Sequence, residues 1–449
     1  MSDREVGPLA GYRQLLALRG DVLVLSVAMF AFSLGFQMTT RFLPRYLEVL
    51  GASAFVIGLF GTFGNLISAV YPYPGGAVSD RIGSRYALTV FGLASTLGFG
   101  LWVVAPSFGT LTVAGITIQP WIWVFVGLVL AQAWKSFGLG ATFAIVKQSV
   151  DASQLARGFA STETFRRSAF LIGPVLAAGL LTLHPDFAVS FRYVLGVAVV
   201  FGAVATVVQH FRYDASDDSF GGSFAGVARI REDLRSMPST LRPLLVGDTL
   251  VRFANGMVYV FFIIVVTDFL DVGFVASLPV VGVVDLSPDA FFGVLLGVEM
   301  AVALLVMAPA AAMAERVGLK PVVATGFAVY AIFPVLLISA PADAVVLVVL
   351  FGLSGLRFAG LPAHKALIVG PAEAGAGGRI TGSYYLLRNV IVIPSGALGG
   401  VLYGGVPNPV GTGMLVSGSP LLAFGLATAI GLVGTGYFLV FGEEFAAYR

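Results

Sequence analysis

The chain reads as an all-α membrane protein of twelve transmembrane helices in two six-helix bundles, with both termini on the cytoplasmic side. Three observations predict this. Of 449 residues, 57% are hydrophobic and only 11% are charged, whereas a soluble domain carries about 25% charged residues. The mean hydropathy is +0.93. The apolar residues also gather into long runs; one bilayer crossing takes roughly 20 of them, so twelve crossings use about 240 residues. A water-soluble enzyme could not cover its surface with so few charges.

The runs fall at 22–43, 53–74, 86–106, 121–146, 158–182 and 189–210, then at 244–267, 288–311, 321–341, 343–368, 380–403 and 418–440. Each is long enough to cross with some tilt. A charged stretch, 211–243, divides them and holds Asp214, Asp217, Asp218, Arg229, Arg231, Glu232, Asp233, Arg235 and Arg242. It predicts an N-terminal bundle at 1–210, a cytoplasmic linker at 211–243 and a C-terminal bundle at 244–449. The part of the linker from Gly221 to Met237 suits a short amphipathic surface helix. Most lysines and arginines outside the runs fall on the side of the N-terminus, the linker and the loops after runs two and eight. Carboxylates such as Glu48, Asp186, Asp268, Asp271, Asp285, Asp289 and Asp343 fall on the other. Basic residues mark the cytoplasmic face, which orients the chain. The first twenty residues are polar and mixed in charge, so no cleavable signal is expected.

Other classes are poorly supported. A net charge of +2 leaves no basic excess for nucleic acid. Without cysteine there are no disulfides or thiolate metal sites. His184, His210 and His364 are scattered, and no phosphate loop, H-E-x-x-H pair or G-x-S-x-G elbow occurs. Neither catalysis, a cofactor nor a metal is expected. The abundant glycine, 56 residues, suits close helix packing in lipid.

The two halves repeat. The loop after run two reads Gly76-Ala-Val-Ser-Asp80-Arg81-Ile-Gly83-Ser84-Arg85, and the loop after run eight reads Ala311-Ala-Met-Ala-Glu315-Arg316-Val-Gly318-Leu-Lys320. Both follow the pattern small-x-x-x-acid-Arg-x-Gly-x-base. Later, Arg157 to Arg166 pairs with Arg379 to Arg388, and on that offset Lys135 pairs with Arg357 and Gly138 with Gly360. Halves repeated in one orientation are related by an axis along the membrane normal.

From these residues the chain resembles a transporter of the major facilitator superfamily over about residues 20–440, in the manner of prokaryotic drug and metabolite efflux members. The first loop resembles the family signature G-x-x-x-D-R-x-G-R-R and departs from it at Ser84. The resemblance implies a cytoplasmic latch made by Gly76, Asp80, Arg81, Gly83 and Arg85, with Glu315, Arg316, Gly318 and Lys320 as its second copy. It places Asp80 near Arg379. Run five, from Ala169 through Gly173-Pro174 to Gly179, resembles the family's antiporter motif with alanine at three glycine positions; small-residue helix packing accounts for it equally well. A basic residue in the fourth helix is linked in the family to proton transfer. Lys135 stands one residue past the aligned position.

Charges inside the runs cost about 2.5–3.5 kcal/mol each even on the lenient scale, so they should line water or pair. Six bases (Lys135, Arg166, Arg167, Arg252, Arg357, Arg388) meet three carboxylates (Glu163, Asp248, Glu299), which favours an anionic or zwitterionic substrate. Asp248 and Arg252 are four apart and read as a structural bridge. Glu299 has no charge in its own turn. Burial penalises a bare carboxylate, so such a group suits loading and releasing a proton; the alternative is a fixed pair with Arg252, Arg357 or Arg388. Gln37, Asn65, Gln132, Asn255, Tyr384 and Asn389, with Glu163, Arg166, Arg357 and Arg388, are the expected cavity residues.

The expected function is secondary active transport of a small molecule by alternating access in the plasma membrane, as a monomer. Protons are expected to couple through Glu299 and Lys135. Efflux by antiport is the leading reading, and ion-coupled uptake of an organic anion or other nutrient is the alternative. A membrane enzyme would need a clustered polar site at one interface, and a sensor would normally carry a soluble output domain.

Overall fold

The computed structural model describes residues 20–71, 78, 81–113, 116–135, 155–213, 237–278, 282–370, 377–407 and 414–444. In chain order the first half holds α1 (Gly20–Thr39), α2 (Leu43–Val49), α3 (Ala54–Val70), α4 (Ser84–Val104), α5 (Trp121–Ala133), α6 (Leu155–Leu181) and α7 (Phe187–Arg212). The second half holds α8 (Arg242–Val258), α9 (Pro288–Val317), α10 (Leu319–Ile338), α11 (Ala344–Gly355), α12 (Leu361–Val369), α13 (Gly377–Val392), α14 (Ser395–Gly404) and α15 (Pro420–Phe441). Several starts carry the side-chain cap expected of a helix N-terminus. The carboxylates of Asp186 and Asp343 each accept from a backbone N–H at 2.9 Å, on Val189 and Val346.

Among the described residues, eight helices are long and apolar enough to cross a bilayer. They are nine if α1 and α2, bent by 44°, count as one span. Ala54–Val70, Trp121–Ala133 and Arg167–Leu181 are apolar but shorter. The described helices thus account for eight or nine of the twelve expected crossings by length. Run four is described only as far as Lys135. The expected linker helix at 221–237 lies almost wholly outside the described residues.

The spans are helical, as expected, and short strands occur in the connections. Among the described residues there are three antiparallel hairpins: β1 (Leu111–Val113) with β2 (Ile116–Ile118), β3 (Phe274–Leu278) with β4 (Gly282–Leu286), and β5 (Val406–Pro407) with β6 (Met414–Val416). These segments are too short to span anything, and a pleated pair is the local way to satisfy their backbone.

The chain divides into two compact units. One is Met1–Leu43 with Val70–Phe224, and the other is Pro44–Ala69 with Ala225–Arg449. In the first, α1 packs on α6 and α7, and α4 packs on α5 and α7. In the second, α8 packs on α13, α14 and α15, and α10 packs on α12 and α15. The pairing scheme repeats between the units, as the sequence repeat predicts. Residues 44–69, early in the chain, group with the second unit.

Two devices shape the second unit. Breaks interrupt its helices where the sequence supplies Gly or Pro. A single 3₁₀ turn, Leu356–Phe358, separates α11 from α12 between Gly355 and Gly360, and Ile393-Pro394 separates α13 from α14, a bend that Pro394 predicts. Glycine also allows backbones to touch. A Cβ on Gly399 would strike the Met257 carbonyl of α8. One on Gly400 would meet the backbone of α3 at 2.8 Å from the Ala54 oxygen. Gly64 on α3 has nothing within 4 Å of that position. We predict that Gly399→Val destabilises the protein by about 1–3 kcal/mol, the usual result of overpacking. Gly64→Ala should hold or gain roughly 0.5–1 kcal/mol from helix propensity. Thermal unfolding in detergent checks both.

Candidate functional site

A buried carboxylate organises the polar interior of the second unit. Asp248 sits on α8 and is 0% exposed. Its Oδ1 accepts from Arg252 Nε at 3.3 Å. Its Oδ2 accepts from Arg388 Nη1 at 3.0 Å and from the Tyr384 hydroxyl at 3.2 Å, and lies 3.2 Å from His364 Nε2. These partners come from α8 itself, from α13 and from α12. On α8, Asp248, Arg252 and Asn255 are spaced four and three apart, so they share one helix face. On α13, Tyr384 and Arg388, and likewise Tyr385 and Asn389, are each four apart.

Aromatic rings hold the guanidiniums in place. Arg252 lies 4.8 Å from the Tyr330 ring centroid and donates to the Tyr330 hydroxyl at 3.0 Å. Arg388 lies 4.6 Å from the Tyr385 ring and donates through Nε and Nη2 to Asn389 Oδ1. Cations over such faces gain electrostatic attraction that grows as water is removed. Exposure divides the cluster: the side chains of Asp248 and His364 are 0% and 5% exposed, but those of Arg252 and Arg388 are 26% and 16%. The carboxylate sits behind, and the two arginines face accessible space.

Glu299 lies in a second, closed pair. It is 1% exposed on α9, forms an ion pair with Arg357 and accepts from Ser354 Oγ at 2.7 Å. The break between α11 and α12 puts Arg357 there. Its Nε and Nη1 are buried without a hydrogen-bond partner among the described residues, while its guanidinium lies over the rings of Tyr330, Phe333 and Phe358. Of the readings open to Glu299 from sequence, the pair with Arg357 is the arrangement observed. The Tyr330 ring touches both Arg252 and Arg357, at 4.8 and 4.9 Å, and so links the two carboxylates.

With this geometry in view, comparison with known proteins is decisive at the level of family. The model of the Major Facilitator Superfamily matches residues 25–395. The chain belongs to that superfamily. An uncharacterized MFS-type transporter of Mycobacterium tuberculosis is 30% identical over 187 residues, covering 41% of this chain and 40% of that protein. The chain thus spans less than half the length of the curated relatives it matches. Among solved structures, the nucleoside transporter NupG superposes with a TM-score of 0.69 at 12% identity, over 94% of this chain and 99% of its own. A POT family transporter solved with 5-aminolevulinic acid gives 0.67 at 13%, over 96% and 99%. At such identities the likeness shows the fold. The protein is therefore a multi-pass membrane protein of a transporter superfamily.

The superfamily's loop signature is partly described. Gly76 and Asp80 lie outside the described residues, as does the side chain of Arg379, so the expected latch contact is not in view. Arg81 is exposed. Gly83 takes φ 83°, ψ 154°, and its counterpart Gly318 takes φ 95°, ψ 162°. The repeat thus reaches the backbone angles, in a region that glycine alone enters freely. Arg85 donates to the carbonyl of Tyr213, just past α7, at 2.9 and 2.6 Å. Ser84, the departure from the signature, bonds the Tyr213 hydroxyl at 2.8 Å. In the second copy Glu315 and Arg316 are exposed, and the Lys320 N–H donates to Glu444 at 2.9 Å. That places an anion at the start of α10, where the helix dipole favours it.

The other expected residues are dispersed. Gln37 and Gly173 meet in the first unit, where a Cβ on Gly173 would lie 2.8 Å from that of Gln37, and Pro174 lies inside α6. Lys135 is exposed, with Nζ 5.5 Å from the Phe36 ring. Gln132 is buried with Oε1 unbonded, and so is Asn255 Oδ1. Asn65 donates to the Val392 carbonyl at 3.5 Å. The side chains of Glu163 and Arg166 lie outside the described residues. Sequence reasoning missed His364 and Tyr330, and it read Asp248 only as half of a local bridge. The four-three spacing of Asp248, Arg252 and Asn255 was the available signal. Away from this cluster, Arg45 bonds Glu48 at 2.8 Å and Asp268 at 2.7 Å and lies 3.5 Å from Asp289.

Breaking one side of a buried ion pair strands the other charge, at a cost of about 3–5 kcal/mol, whereas apolar replacement of both is often near neutral. Arg357→Leu should therefore destabilise the protein by that amount, and the double variant Arg357→Leu, Glu299→Leu by much less. A double-mutant cycle on denaturant unfolding in micelles measures the difference.

Proposed function

We propose that the chain is a proton-coupled secondary transporter that carries a small molecule across the plasma membrane by alternating access, acting as a monomer, with Asp248 as the group that takes and gives the proton. One observation carries the reading. Asp248 is a buried carboxylate inside a span, and its charged partners Arg252 and Arg388 are partly exposed. A proton reaching it would change the charge of a group that two accessible cations share. An ionisable group at that depth is a functional site by default. Glu299, favoured by sequence alone, is closed off in its pair with Arg357 and serves in this reading to hold α9 against the break between α11 and α12. Lys135 remains a second candidate for coupling in the first unit.

Two directions stand open from the sequence. Efflux by antiport rests on the motif at Gly173-Pro174, and the tight fit of Gly173 against Gln37 supports its packing role. Uptake together with protons rests on the excess of guanidinium groups in the second unit. An anion that shares cations with a carboxylate binds more readily once that carboxylate is protonated, so anion and proton travel together. The second reading has the stronger support.

The test uses proteoliposomes of the full chain with an entrapped pH dye, screened against a library of small metabolites. A carried compound should shift the internal pH on addition. Asp248→Asn should abolish the shift yet keep exchange of that labelled compound at equal pH, and Glu299→Gln should keep both. Proton movement that survives in Asp248→Asn would overturn the assignment, and loss of it in Glu299→Gln alone would move the role to Glu299.

A further inference from the structure

We infer that the Arg252–Arg388 pair is the binding site for the carboxylate of an organic anion, which replaces Asp248 on the two guanidiniums when Asp248 takes up a proton. This rests on the proton-carrying reading of Asp248 given above.

The first support is a count of donors. A guanidinium offers five N–H groups. Arg388 engages three of its own, one to Asp248 and two to Asn389. Arg252 engages two, to Asp248 and Tyr330. Both arginines therefore keep N–H groups with no acceptor among the described residues, and their side chains are 16% and 26% exposed. Arginine forks match carboxylates in a bidentate way, with charge-assisted bonds about twice as strong as neutral ones.

The second support is charge. Among the described residues Arg252, Arg357 and Arg388 meet only the carboxylates of Asp248 and Glu299, the Glu299–Arg357 pair is closed on itself, and His364 of α12 and the Tyr384 hydroxyl of α13 also face Asp248. One guanidinium charge is left over even while Asp248 is ionised, and protonating Asp248 leaves two. In a medium that penalises bare charge, the missing partner is an anion. A cationic ligand would face the repulsion of both arginines.

The third support is the surroundings. The faces of Tyr330 and Tyr385 stack on the guanidiniums and fix their planes, so the free N–H edges are set in position before a ligand arrives. Tyr330 is buried and serves only to position its guanidiniums, whereas Tyr385 is half-buried beside Arg388 and offers apolar surface to the body of an organic acid over a small inorganic anion. The proton on Asp248 comes from the aqueous side and returns there after release. No bond other than O–H forms or breaks.

The test takes the purified full chain in nanodiscs and follows thermal unfolding with benzoate, phenylacetate and nicotinate. Each is paired with its amide, and chloride and phosphate run alongside, at mildly acid and mildly alkaline pH. The acids should stabilise the protein and the amides should not, with the larger effect at acid pH. Arg388→Gln should weaken acid binding roughly tenfold or more, the loss expected for a charged hydrogen bond. If that variant does not fold, the comparison of acids with amides on the unaltered chain decides alone. Acids that bind no better than their amides, or no better than chloride and phosphate, overturn the organic-anion site. That result leaves the proton reading of Asp248 standing, because the pH-dye assay does not depend on acids. Acids that bind equally at both pH values support the anion site and overturn the exchange with Asp248.

Discussion

A carboxylate buried in the folded state has to find its counter-charges inside the protein, and in this structure that requirement fixes the arrangement of the second unit. Asp248 draws on an arginine one turn along its own helix, an arginine and a tyrosine on α13, and a histidine on α12. Three helices must hold a common register for those contacts to exist together. The reach of each side chain is short, so the backbones must also be close, and glycine supplies the closeness: Gly399 of α14 lies on α8 at Met257, and Gly355 at the end of α11 lies on α9 at the Glu299 carbonyl, 2.6 Å from where its Cβ would be. Glycine packing and charge pairing are thus two parts of one solution. Without the first, the second could not be reached.

The broken helices belong to the same solution. A continuous helix through Leu356–Phe358 would carry Arg357 on a regular spiral, whereas the tighter turn directs it onto Glu299 beneath the rings of Tyr330, Phe333 and Phe358. Irregular backbone within a membrane is tolerated where protein buries it or water lines it. Here Arg357 is buried between half-buried neighbours, and the turn delivers one charged group to one partner.

What the sequence made legible follows from the range of its rules. Apolar runs located the helices because a crossing has a fixed minimum length. The repeated acid-Arg-x-Gly loop located Gly83 and Gly318 because a sharp turn between consecutive helices requires a backbone angle that other residues resist, and both glycines have it. The i,i+4 rule found Asp248 with Arg252, and it stops at one turn. The Glu299–Arg357 pair and the approach of His364 to Asp248 join helices far apart in the chain, and no local spacing encodes them. The hairpins escaped because their strands are three to five residues long or shorter, below the length at which alternation separates from chance. The two copies of the loop signature also diverged in chemistry while keeping geometry. In the first, Arg85 meets the carbonyl end of α7, and in the second, Glu444 meets the amide end of α10. Each places the charge sign that its helix terminus favours, which is why a base at Arg85 and the Lys320 amide can serve one fold.

The proposed exchange of Asp248 for an anion on shared cations has a consequence for affinity. A site of bare arginines in a low-dielectric interior would bind an anion so tightly that release would limit every cycle. With Asp248 already in place, an incoming anion gains only the difference between its own contacts and those it displaces. Protonation lowers what must be displaced, and deprotonation restores the competitor. Binding and release then differ by the charge of one group, with no rebuilding of the site between them. A carrier needs that property more than it needs tight binding, since a ligand with equal affinity for two states shifts neither. In that proposal the closed Glu299–Arg357 pair has a use: a second titrating carboxylate on the same network would offer the anion's cations another partner and weaken the link between one proton and one ligand.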